Sequence, residues 1–206
     1  MDTIAFDAVR LVHLAGVALG LGLGIYADSR FLRGLGRPIL PSRLSELRRI
    51  HEHVYLALAL LWVSGLVLFA MRTGLDPSLF SVKLLAKFCV VALLTVNAMA
   101  IGAIALPLLE LSVEKRFCDL SRPRRLILGL IGGISCASWG LALALGVFTA
   151  AKEMSGGMLL VFLGSGYALG LTVGAVIAFG APFFAVLRDS GPVGLRDLSG
   201  LASPSR

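Results

Sequence analysis

The chain is 206 residues long, 57% hydrophobic and only 15% charged, with a formal net charge of +7 at pH 7 and a mean hydropathy of +0.90. A soluble domain carries roughly 45–50% apolar and about 25% charged residues. A soluble globular enzyme, a disulfide-rich secreted domain and a disordered chain are therefore excluded. The basic excess lies between long apolar runs, so it reads as a membrane charge bias and not as a nucleic-acid footprint.

A helix needs about 20 apolar residues to cross a bilayer, and five segments qualify: residues 4–27, 54–71, 88–109, 126–150 and 158–187. Their runs are continuous and lack alternating polarity, which predicts helices instead of barrel strands. The predicted fold class is all-α, an integral membrane bundle of five transmembrane helices forming one domain over residues 1–188.

The first span reads as retained and not as a cleaved signal peptide, because Asp2 and Asp7 make its start acidic and no small-x-small cleavage site follows. Gly16, Gly20 and Gly24 stand four apart on one face, and His13 shares that face. An ionisable residue inside a span is costly, which makes His13 a functional candidate. A neutral imidazole there reads as an iron or copper ligand or proton relay, or as a hydrogen-bonded structural residue near the interface.

The loop over residues 28–53 is broken by Pro38 and Pro41. Beyond them Leu44, Leu47, Ile50 and Val54 recur at helical spacing, so the second helix begins near Ser42 and protrudes past the membrane. His51 and His53 are two apart and face different sides, which predicts solvated or headgroup-contacting residues and no shared metal. About 20 Å of helix separates His13 from the boundary at which His53 sits, so the two do not clamp one haem.

Lys83 and Lys87 lead into the third span. Each reads as a lysine snorkelling to the headgroups; alternatively Lys87 faces His13 and binds an acidic ligand such as a propionate. Asn97 is expected to bond across helices, and Trp62 and Trp139 to be core packers or cofactor neighbours. Pro107 and Pro182 are expected to make local kinks or stops. Gly129 and Gly133 in the fourth span, and Gly166, Gly170, Gly174 and Ala178 in the fifth, repeat the four-residue spacing. Such faces predict close packing within the monomer, with a flat cofactor, a homodimer contact or a partner subunit as the alternatives. Residues 189–206 contain Gly, Pro and Ser without an apolar run and read as a mobile cytoplasmic tail.

Fourteen Lys and Arg fall on one side of these spans, including Arg188, Arg196 and Arg206, and five (Arg10, Arg72, Lys83, Lys87 and Lys152) on the other. This split predicts an outside N-terminus and a cytoplasmic C-terminus. Cys89, Cys118 and Cys136 are isolated and give no disulfide framework, and Cys89 and Cys136, inside spans, read as small apolar packers. Met71, Met154 and Met158 lie on the His13 side, where they offer soft donors to copper or simply fill gaps. No phosphate-binding loop, dinucleotide fingerprint, zinc-protease or nucleophile-elbow motif occurs. Every Asp and Glu is expected in a loop, at a helix end or in the tail, which argues against a proton pump built on intramembrane acids.

Three stretches carry a resemblance: L-V-H-L-A-G-V-A-L-G in the first span, L-L-W-V-S-G-L-V-L-F in the second and V-K-L-L-A-K-F opening the third. They resemble a group of small bacterial membrane proteins that includes the HemJ-type protoporphyrinogen oxidases and the CopD-type copper-resistance proteins. The resemblance covers the first three spans, roughly half the chain. It implies a first-span histidine as haem-ligand candidate, here His13, a functional lysine opening the third span, here Lys83 or Lys87, and a place in the bacterial inner membrane. The leading expectation is a haem b or porphyrin site on the outer side, with His13 as ligand or proton relay and Lys87 and Lys83 near the carboxylates. Its role would be electron transfer or porphyrin oxidation coupled to membrane quinone. The alternatives are copper or small-solute binding and transport, or a non-catalytic accessory subunit.

Overall fold

The computed structural model describes residues 3–189, with side chains except at 152 and 184–189. The expected tail, with Arg196 and Arg206, lies outside the described residues, as do the side chains of Lys152 and Arg188. Five long helices make up the fold: α1 (Thr3–Gly34), α2 (Pro41–Thr73), α3 (Val82–Glu110), α4 (Arg122–Val147) and α5 (Gly156–Asp189). All five are long and apolar enough to cross a bilayer. Among the described residues there is no β-strand, and short 3-10 turns at Pro77–Leu79, Phe117–Asp119 and Thr149–Lys152 fill the connections. Successive helices run antiparallel: Arg72 at the end of α2 sits over the Phe6 ring at the start of α1, and Lys83 at the start of α3 reaches the carbonyl of Phe148 beyond α4.

The helices exceed the spans predicted from hydropathy. The 32 residues of α1 extend about 48 Å at about 1.5 Å per residue, against a hydrocarbon core of about 30 Å. Asp28 and Arg30, expected in a loop, therefore stand on a helix. The cause is packing beyond the polar Asp28–Arg30 stretch. Phe31 meets Phe117 edge-on at 5.0 Å, and Phe31 and Leu35 join a cluster with Leu109, Phe117 and Leu120. A similar extension carries α2 back to Pro41, one residue before the expected start, with the proline at a helix-starting position.

Pro107 has a specific consequence in α3. Lacking an N–H, it cannot bond the Ala103 carbonyl, and its ring would press on that carbonyl in a regular α-helix. The chain widens there into a π-turn over Ile101–Ala105 before resuming as α-helix through Glu110. Pro182 does not stop α5, which continues to Asp189.

The tightest contact joins α4 to α5. A Cβ placed on Gly129 would overlap the Gly174 carbonyl, and one placed on Gly133 would overlap that of Gly170, with the reverse equally true. Backbone touches backbone here, which is what the four-residue glycine spacing allows. Ser138 and Tyr167 exchange a hydrogen bond at 3.2 Å along the same pair. Towards the start of α4, the buried Arg125 donates to the carbonyls of Ala178 (2.9 Å), Cys118 (2.8 Å) and Leu120 (2.7 Å). A residue counted as interfacial charge thus serves as a clasp between α4, α5 and the preceding connection. The outward faces are broadly apolar, with Ile4, Leu160 and Val161 among the most exposed, a composition compatible with contact to lipid.

Substituting Gly133 with Val is expected to cost at least about 1–3 kcal/mol by overpacking, read as a fall in the thermal midpoint of the detergent-purified protein. Gly132→Ala, where an added Cβ meets nothing within 4 Å, is expected to leave that midpoint unchanged. Arg125→Met strips three buried carbonyls of their donor and is expected to destabilise by roughly 1–3 kcal/mol in the same measurement.

Candidate functional site

His13 sits half-buried on α1 where that helix meets α2, beside Gly65. Its Nδ1 lies 3.0 Å from Ser64 Oγ. A serine hydroxyl carries one proton, and that of Ser64 is donated to the Leu60 carbonyl. With that proton engaged, Ser64 Oγ is an acceptor for the Nδ1–H tautomer of His13, the tautomer in which Nε2 keeps its lone pair. This is the arrangement in which a second hydrogen bond orients an imidazole for ligation or proton transfer through the other nitrogen.

Lys87 lies on the same side of the bundle, close enough for its charge to act on the His13 ring. Lys83, one turn earlier, donates to the Phe148 carbonyl at 2.7 Å. A cation is well placed on that carbonyl at the end of α4, where the helix dipole is negative. Lys83 therefore has a structural task in tying α3 to α4, while Lys87 is the lysine whose charge bears on the imidazole.

The glycine face below His13 is filled from within. Gly16 rests on Leu60 and Leu61, and a Cβ on Gly20 would run into the indole of Trp139, whose ring also lies along Gly24. The flat group that these glycines admit is this chain's own tryptophan, which is 3% exposed. Trp62, the other mid-span tryptophan, donates from Nε1 to Thr95 Oγ1 at 3.0 Å and joins α2 to α3.

A second polar cluster was not legible in the sequence. His51, expected in solvent or at headgroups, is instead buried, at 8% exposure. Its ring packs on Tyr55 at 4.6 Å and its Nε2 lies where a Cβ on Gly102 would touch it, at 3.0 Å. The missing side chain at Gly102, within the π-turn, makes the space. Tyr55 donates weakly to the Ala98 carbonyl at 3.4 Å. His51 Nε2 and Asn97 Nδ2 are the buried side-chain polar atoms that lack a partner among the described residues. The expectation that Asn97 bonds across helices thus fails for its amide nitrogen: spacing places a residue in a span but does not choose the carbonyls it meets. His53 behaves as expected, exposed and bonded to the Arg49 carbonyl at 2.7 Å.

Among the described residues, no group of three or more His, Cys, Asp or Glu comes together as a metal cage. Met154 packs with the apolar cluster of α3, α4 and α5, and Met158 is 59% exposed. Cys89 and Cys136, expected to be internal packers, are exposed, and Cys136 donates to the Asp28 carboxylate at 2.9 Å. Asp28 is thus an acid within a long helix, where the sequence placed none. Cys118, in the connection before α4, is buried, which pushes its thiol up and leaves it protonated and unreactive. Comparison with protein-family models, with curated proteins and with solved structures gave no match.

An unpartnered buried nitrogen costs roughly 1–3 kcal/mol. Replacing His51 by Phe, similar in shape and without that nitrogen, is accordingly expected to hold or raise the thermal midpoint. A large drop would show that His51 has a partner in the folded protein.

Proposed function

We propose that this chain is a multi-pass inner-membrane protein that holds a b-type haem or a porphyrin at its His13 end. His13 Nε2 is the axial ligand or proton relay, and Lys87 answers an acidic substituent of the ring. One observation carries the reading: Ser64 Oγ stands 3.0 Å from His13 Nδ1 and donates its own proton to the Leu60 carbonyl, a pairing that supports the tautomer in which Nε2 is the acting nitrogen. The donor set fits a single axial nitrogen, since no second histidine stands near it: His51 and His53 belong to the far end of α2. A bound iron porphyrin supplies one-electron transfer, to or from a membrane quinone. The chain's own part is to orient one imidazole, to place an ammonium for a carboxylate, and to exclude water with apolar helices. The faces of Gly20 and Gly24 take no part, because Trp139 occupies them.

The Lys and Arg asymmetry supports placing the His13 end outside and the arginine-rich end in the cytoplasm. Copper is the second metal that a His-centred site takes, although Met154 is committed to core packing. An accessory role without chemistry is favoured by the peripheral position of α5, whose apolar window is only 6% buried in the bundle.

The test is the absorption spectrum of the purified chain as isolated, oxidised and dithionite-reduced, with elemental analysis. The expected result is a Soret band with stoichiometric iron, lost in His13→Ala and weakened about fivefold in affinity, on the order of 1 kcal/mol, in Lys87→Gln. Protein from haem-replete cells with neither Soret band nor iron would refute the reading, and stoichiometric copper would replace it with the second.

A further inference from the structure

We propose that the cleft at the arginine-rich end is a binding site for one anionic phospholipid, with its phosphate held by Arg37 and Arg43. The cleft lies between the last turns of α1, the connection to α2 and the first turns of α2. Its floor is apolar, built from Phe31, Leu47, Leu109 and Phe117, and its rim carries Arg30, Arg37 and Arg43.

The three guanidiniums are not equivalent. Arg30 is answered by Glu46 at 2.8 Å, and Glu46 also accepts from Tyr26 at 2.6 Å. Arg37 and Arg43 meet no carboxylate among the described residues. Arg43 is drawn inward over bare backbone: a Cβ on Gly34 would lie 2.7 Å from its Nη1. The connection that carries Arg37 is itself pinned, because Ile39 donates to the Lys115 carbonyl at 3.0 Å and accepts from the Glu114 N–H at 2.9 Å. The cleft is thus preformed, with Arg43 half-buried over Gly34 and Arg37 exposed on a pinned connection, both beside an apolar floor.

Charge and polarity together choose the occupant. A lipid without net negative charge, such as one whose headgroup ammonium offsets its phosphate, leaves the two guanidinium charges uncompensated, and a free anion leaves the floor wetted. A phosphodiester with an acyl chain and a net negative charge satisfies both at once, and basic pockets between membrane helices take such anionic headgroups. The position agrees, since α1 and α2 overrun the hydrocarbon core and carry this cleft to headgroup depth. The inference is independent of what His13 binds.

The experiment is thermal unfolding and native mass spectrometry of the full chain in detergent, with added phosphatidylglycerol, phosphatidylcholine or inorganic phosphate. Phosphatidylglycerol is expected to raise the midpoint and to remain bound at one per chain, while the other two do neither. Arg37→Gln with Arg43→Gln is expected to weaken phosphatidylglycerol about thirtyfold, given roughly 1 kcal/mol for each of the two basic contacts. Arg122→Gln with Arg124→Gln, an equal loss of charge at the same end, is expected to leave it bound. Equal losses in the two double variants would reduce the effect to general surface attraction and overturn the site. So would no preference over phosphatidylcholine, or inorganic phosphate reproducing the full shift.

Discussion

The bundle depends on the contact of two bare backbones. Where Gly129 faces Gly174 and Gly133 faces Gly170, α4 and α5 come closer than any side chain would permit. For apolar helices that could cross a membrane, lipid offers no hydrophobic drive to association, and close dispersion contact and shared hydrogen bonds are what such helices have to hold them together. The Ser138–Tyr167 bond and the Arg125 clasp add the polar part along the same pair. With α5 laid against it on one side, α4 presents Trp139 on the other, and that indole fills the glycine face of α1. The position of His13 relative to the rest of the bundle follows from this sequence of contacts.

The polar groups divide by end, and the division has a physical origin. At one end the charges are few: Lys83 lies on a helix-terminal carbonyl, Arg72 over the Phe6 ring, and the Lys87 charge bears on the His13 ring. At the other, charges are many and partly matched, through Arg30–Glu46, Arg48–Glu110 and Arg116–Asp119, where the arginine holds the Asp119 carboxyl below its usual range. Between the ends lie two histidines in different circumstances. His13 has its Nδ1 paired with Ser64 at a helix junction; His51 is packed against Tyr55 and Gly102 with a buried nitrogen unanswered among the described residues. Buried polar groups without partners are rare because they are costly, and His51 and Asn97, the two side chains with such an atom among the described residues, both lie beside the π-turn over Ile101–Ala105.

Much of the site was legible in order but not in depth. The four-residue glycine spacing announced close packing, and His13 on that face announced an inward imidazole. Neither could announce Trp139 as the group that fills the face, because that residue is more than a hundred positions away in the chain. His51 was misread for a related reason. Its neighbours Arg49, Glu52 and His53 are exposed, and local polarity masks the fact that one position in that turn points at Gly102. Asp28 was misread because a window of hydropathy ends a span at the first polar run, whereas a helix ends where packing and backbone hydrogen bonding end.

The sequence by itself determined that this chain forms five long apolar helices, that its charge is concentrated at alternate connections, and which small residues lie on a common face. These are properties of composition and helical period, and they hold for any arrangement of the helices. The tertiary structure alone decided which glycine meets which carbonyl, that Ser64 pairs with one nitrogen of His13, that Lys83 and Arg125 spend their donors on backbone, and that two arginines are left facing an apolar cleft. Such pairings depend on the relative rotation and depth of distant helices, and no periodicity within a single segment contains that information.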